Sequence, residues 1–168
     1  MKSFYKSFLL IFFFLICSNS SANNIAFIDL DAVFKKTNLG KKIIDKFENR
    51  RNQELKEIKK KENDIKSFEI EIRNKKNIIS EDELKLEISK LQKNIKEFNL
   101  FKNKTQNDFK KSKNNEIMNF FNKIDPIIQT YLDENSIDIL FNNKNIIIGK
   151  DSLDITNNII KIVNMNLK

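Results

Sequence analysis

The sequence predicts an α+β fold that is mostly α: a long, coiled-coil-like antiparallel helical hairpin inserted into a small three-stranded β-sheet body that serves oligomerisation. Three observations carry that expectation. Residues 41–124 contain neither Gly nor Pro and are dense in charge. Within them, apolar residues recur every seven positions, the mark of a helix with a narrow seam. Short runs rich in Ile and Phe stand at both ends of this region, as β-strands do.

The first 22 residues stand apart. Lys2 and Lys6 precede an unbroken apolar run from Phe8 to Cys17, and Ser20-Ser21-Ala22 supplies small residues for cleavage. This is the pattern of a secretory signal, with cleavage expected after Ala22. A spanning helix needs about 20 apolar residues, so the run is short for an anchor. Bulky Ile16 argues against lipid modification at Cys17. The expected mature chain has no Cys, so stability must come from packing or association rather than from disulfides.

After the signal, Ile25-Ala26-Phe27-Ile28-Asp29 reads as a buried strand. Asp31 is expected to cap a helical turn from Ala32 to Lys36, and Asn38-Leu39-Gly40 to break it. The outgoing arm follows. Ile44, Ile58, Ile65, Ile72 and Ile79 share one seven-residue grid, with Phe47 and Phe68 on companion positions. Arg51 takes a grid point, and Glu54, Lys61 and Lys75 take companion points, so the stripe is thin. Ser80 and Glu83 form an S-x-x-E capping box that starts the return helix. There, Leu84, Ile88, Leu91, Ile95 and Phe98 make the seam, while Phe101 lies off it. Pro126 either kinks the helix or caps and restarts it.

Ile137 to Phe141 reads as a second strand, Asn142 to Asn145 as a turn, and Ile146 to Ile148 as a hairpin partner. Asp154 is expected to cap a last helix beginning at Ile155. Because a helical hairpin returns the chain to its start, the early strand can pair with the late ones. The organisation is therefore a signal at 1–22, a body from 23–40 and 114–168, and an arm at 41–113. A three-stranded sheet is marginal alone and has open edges, so copies are expected to associate through it. Ile25, Phe27, Ile139, Phe141 and Ile147 are the candidate oligomerisation residues.

The whole chain carries a net charge of +8, with 28 Lys against three Arg. Residues 41–113 hold 22 basic and 14 acidic groups, whereas residues 114–168 are net acidic. An excess of Lys, Asn and Ile also fits an AT-rich genome, so part of the basicity is open to that explanation. With no His anywhere and no Cys after the signal, the usual nucleophile–base pairs are absent, and two Gly cannot make a phosphate loop. No catalytic, cofactor or metal residues are expected. Asp29 and Asp31 have sufficient structural roles at a strand end and a helix cap.

The strand Ile25–Asp29 followed by Val33-Phe34, together with Ile137–Phe141, the polar turn, and Asp154-Ile155-Thr156 leading into Ile159-Ile160, resembles the Skp/OmpH family of periplasmic chaperones. The resemblance spans residues 23–168 and is specific at the two ends. It implies a homotrimer whose small bodies join and whose arms enclose a cavity. That cavity would hold unfolded outer-membrane β-barrel proteins without nucleotide, in the periplasm. It also implies contact with anionic lipid or lipopolysaccharide, for which the chain offers no assignable motif. On this reading Phe68 and Phe101 are candidate apolar client contacts, and Lys60 and Lys61 candidate charged ones. Seam packing is the competing account of the aromatics, and a solvated face that of the lysines. Two other classes compete: a structural coiled-coil protein of the envelope, disfavoured by the broken seam, and a basic nucleic-acid binder, disfavoured by export.

Overall fold

The computed structural model describes residues 24–167, so the signal read at 1–22 lies outside the described residues. The order is β1 (Ile25–Ile28), α1 (Leu30–Lys36), α2 (Asn38–Lys75), α3 (Glu81–Glu134), β2 (Ile139–Asn142) and α4 (Thr156–Asn166), with 3₁₀ turns at Asn143–Asn145 and Asp151–Leu153. The fold is α+β and mostly α, as expected. Helices α2 and α3 form the hairpin. With 38 residues, α2 extends about 57 Å at about 1.5 Å per residue.

The hairpin tip follows from its capping chemistry. The Ser80 hydroxyl accepts from Glu83 N, while Ser80 N donates to the Glu83 carboxylate at 3.0 Å. Two otherwise unpaired donors are thus satisfied where α3 begins. Pro126 neither ends nor restarts this helix, which runs unbroken to Glu134. Pro126 has no N–H to donate, and the Thr130 hydroxyl donates to the Pro126 carbonyl at 2.9 Å.

Among the described residues the sheet has two strands, not three. β1 and β2 pair in parallel, with Ile25 beside Ile139 and Phe27 beside Phe141. The expected third strand, Ile146–Ile148, does not form. The Asn142 side chain accepts from Lys144 N at 3.0 Å and so seeds a 3₁₀ turn instead of a hairpin. Such local side-chain bonding competes with a sheet ladder. The other edge of β1 is met farther on, where Phe27 bridges Asp154 and Ile155 N donates to the Phe27 carbonyl.

β2 also begins later than the apolar run suggests. Ile137 N donates to Leu132 O and Ser136 N to Asp133 O, while Ser136 takes a φ of 53°. This is a Schellman closure of α3, which commits Ile137 to the helix end before the strand can start.

Two expectations at the start of the chain are also corrected. Asp29, not Asp31, caps α1, accepting from Ala32 N at 2.9 Å, because the helix begins at Leu30. Asp31 instead meets Lys144 at 2.7 Å. The break between α1 and α2 falls at Thr37, whose buried hydroxyl accepts from Gly40 N. Gly40 lies within α2. At the far end, Asp154 accepts from Thr156 N at 2.8 Å, close to its expected role as a cap.

The core lies where all elements converge. Ala26, Ile28, Val33, Phe120, Ile124 and Ile159 are its centre. Phe34 meets Phe120 edge-on at 5.0 Å between ring centroids, a favoured aromatic geometry. The Thr156 hydroxyl accepts from Asp29 N at 2.8 Å and ties the end of β1 to α4.

Candidate functional site

Two surfaces carry the candidate residues. The first is the sheet. Alternation along each strand sends Ala26 and Ile28 into the core and leaves the other face open. Parallel pairing puts Ile25, Phe27, Ile139 and Phe141 together on that open face. Ile25, Ile139 and Phe141 are 43%, 41% and 39% exposed. Gly149 passes close over the Phe27 ring. Ile147 is not on the sheet, but it and Ile148 are 97% and 91% exposed in the loop that follows β2. Four of the five candidate oligomerisation residues thus share one face, and the fifth projects from a neighbouring loop.

The second surface is the arm. Between Glu48 and Lys113, Ile72 is the single buried residue. The outgoing seam follows its expected grid: Ile58, Ile65 and Phe68 are half-buried. The return seam departs from expectation. Phe101, read as lying off it, is half-buried in line with Phe98, Thr105 and Phe109. A straight helix at 3.6 residues per turn drifts against a seven-residue repeat, and here the drift brings Phe101 inward. The Lys61 ammonium lies over its ring, 4.9 Å from the centroid. Two of the four candidate client contacts are therefore brought together. Phe68 lies farther along the same seam, and Lys60 is exposed.

Charge on the arm is arranged mainly within each helix. Lys59 and Lys66 both meet Glu62 and hold its carboxyl below the usual range. Arg73–Glu69 and Lys75–Glu71 are further one-turn pairs. Between α2 and α3, Lys46–Glu116 is the single ion pair among the described residues, and it lies at the base. Exposed pairs of this kind contribute little to stability. Little beyond the thin seam therefore holds the two rods together along their length.

Sequence reasoning missed a cleft of about 650 Å³ between the arm helices near the body. Ile44, Phe47, Leu55, Ile58 and Phe109 provide its apolar lining, and the exposed cations Lys35, Arg51 and Lys113 border it. Phe47 and Phe109 meet edge-on at 5.6 Å, and the Arg50 guanidinium lies 5.7 Å from the Phe109 centroid. Arg50 also binds Glu54 at 2.7 Å. The signal was present in Arg51 and Glu54, which occupy seam points where apolar residues would have closed the gap.

These features define a class: a protein whose small mixed body anchors a long two-helix arm, with broad apolar and basic surface. The family model for OmpH-like outer membrane proteins matches residues 24–163, and the chain belongs to that family. No curated protein sequence matches it. The fold is similar to the crystal structure of a candidate OmpH-like outer membrane chaperone from Caulobacter crescentus CB15. The TM-score is 0.81 at 13% identity, over 89% of each chain.

Proposed function

We propose that this protein is a periplasmic chaperone that holds unfolded outer-membrane β-barrel proteins between helical arms, without ATP, and so prevents their aggregation. The observation that carries this reading is the arm itself. From Glu48 to Lys113 it buries one residue and spends the rest of its surface outward. A stable spacer would close a continuous apolar seam. This arm leaves apolar side chains such as Leu55, Ile70 and Leu100 exposed among lysines. Many weak contacts of that kind suit a client with no fixed shape and allow release without fuel.

Family membership supports the periplasmic setting and the outer-membrane clients. The open face of Ile25, Phe27, Ile139 and Phe141 supports assembly through the body into a homotrimer, with residues 41–113 as the arm. The excess of basic groups on the arm supports long-range attraction of acidic segments. Phe68, Phe101, Lys60 and Lys61 are proposed as client contacts, and contact with anionic lipid or lipopolysaccharide is proposed at the level of the family. Export from the cytoplasm sets nucleic acid aside as a partner.

The test is direct. The mature chain, residues 23–168, is mixed in excess with a urea-unfolded outer-membrane barrel protein and diluted without nucleotide. Light scattering from the client should be suppressed. Undiminished scattering at several-fold excess would remove the holdase reading.

A further inference from the structure

The cleft at the arm base goes beyond general surface stickiness. We propose that it is a discrete seat for an extended client segment that presents a large apolar side chain beside a carboxylate. This rests on the holdase reading and specifies where on the arm a client is gripped.

Five features converge. At about 650 Å³ the cleft falls within the range of small-ligand sites, about 300–1,000 Å³, and is large enough for a bulky side chain and its neighbours. Its lining is apolar, and Leu55 stands 52% exposed at it. Its charge is unbalanced. Lys35, Arg51 and Lys113 form no ion pair among the described residues, whereas Glu54 is already engaged by Arg50. Glu48 is the one further acid that lines it. The remaining polar lining is Thr105 and Gln106, which with Glu48 carry acceptors and donors. A peptide backbone has N–H and C=O groups to match them. A hydrocarbon chain has none, so this lining favours a polypeptide over a lipid. The cleft is also held open by the sequence, because Arg51 and Glu54 occupy positions where apolar side chains would have zipped α2 to α3.

The probe is a dansyl-labelled twelve-residue peptide in which Phe and Asp alternate with Ser, paired with a control carrying Asn for Asp. Binding to the mature chain is followed by fluorescence anisotropy at about 0.15 M salt, where the Debye length is about 8 Å. The Asp peptide should bind, and Arg51→Glu should weaken it by about tenfold, the loss of one charge-assisted contact. The Asn peptide should change by less than about twofold with the same variant, since its neutral side chain has no such contact to lose. Leu55→Asp should weaken both peptides. Lys96→Glu, the same charge change on an exposed site along the arm, should weaken neither by more than about twofold, as long-range screening predicts. Circular dichroism and sedimentation check that each variant keeps its helix content and mass.

Unchanged affinity in Arg51→Glu and Leu55→Asp overturns the seat. A loss of assembly in either variant overturns it too, by making the cleft a contact between copies. So does displacement of the peptide by sodium oleate with an Arg51-dependent affinity above the peptide's own. Light-scattering suppression is measured on the same proteins. Suppression by the wild type with no cleft effect removes this inference alone, whereas no suppression removes the chaperone reading beneath it.

Discussion

Gly40 packs against the carbonyl of Phe34 so closely that a Cβ at residue 40 would stand 1.6 Å from the oxygen. The contact locks α1 onto the first turn of α2, beside the buried Thr37 cap. It sets the direction in which the arm leaves the body.

Replacing a helical Gly by Ala ordinarily stabilises by about 0.5–1 kcal/mol. Here the clash should reverse the sign. Gly40→Ala should cost roughly 1–3 kcal/mol, as overpacking does, because the obstacle is backbone and cannot rotate away. Urea unfolding measures this, and a gain in stability would show that α1 is free to shift.

Ile147 and Ile148 are the most exposed large apolar residues beside the open sheet face. Within the single chain they contact little, so Ile147→Asp with Ile148→Asp should leave the monomer fold intact. The double variant should sediment as a monomer while keeping the helical circular-dichroism signal. A mass unchanged from the wild type would take Ile147 off the assembly surface.

Lys61 and Phe101 supply a coupling that can be isolated. A cation over an exposed or half-exposed ring is worth about 0.5–1 kcal/mol. A double-mutant cycle with Lys61→Met and Phe101→Leu should return a coupling of that size in stability. Zero coupling would mean that the ammonium leaves the ring in solution and stands ready for a client.

At the tip, the Ser80 backbone N–H and hydroxyl hold the Glu83 carboxyl below the ordinary glutamate value of 4.5. A depressed carboxyl contributes stability above the unfolded value and loses it as pH falls through the folded one. The Ser80 amide resonance should therefore titrate with a midpoint below 4.5, with fraying of the first turn of α3 below it. In Glu83→Gln the titration should vanish while the cap largely persists, since Gln also closes a capping box. A midpoint at or above 4.5 would contradict the box.

Much of this protein was legible in its sequence because the governing signals are local. Seven-residue spacing from Ile44 to Ile79 and the Ser80–Glu83 box mark two helices and the turn between them, and helices are built from contacts within a few residues. The Ile-rich run at β1 was equally plain. What escaped was decided by competition between distant or alternative partners. Three isoleucines at Ile146–Ile148 satisfy every local criterion for a strand, yet the Asn142 side chain diverts the turn before them. Ile137 looks like strand until its N–H is taken by Leu132.

The candidate surfaces divide in the same way. The open edges of a small sheet pointed to Ile25, Phe27, Ile139, Phe141 and Ile147, but only parallel pairing in register aligned the first four on one face. Phe101 was read as lying outside the seam because a fixed repeat ignores helical drift, and the partner helix decides which side chain meets it. The cleft at Phe47 and Phe109 exists because Arg51 and Glu54 keep two rods from closing. Composition and periodicity determined that this chain makes long, basic, thinly seamed helices returning to a small body, since those properties arise within each helix. The tertiary structure alone decided which strand edges meet, which apolar face stays uncovered and where the rods part, since each depends on groups far apart in sequence competing for the same space.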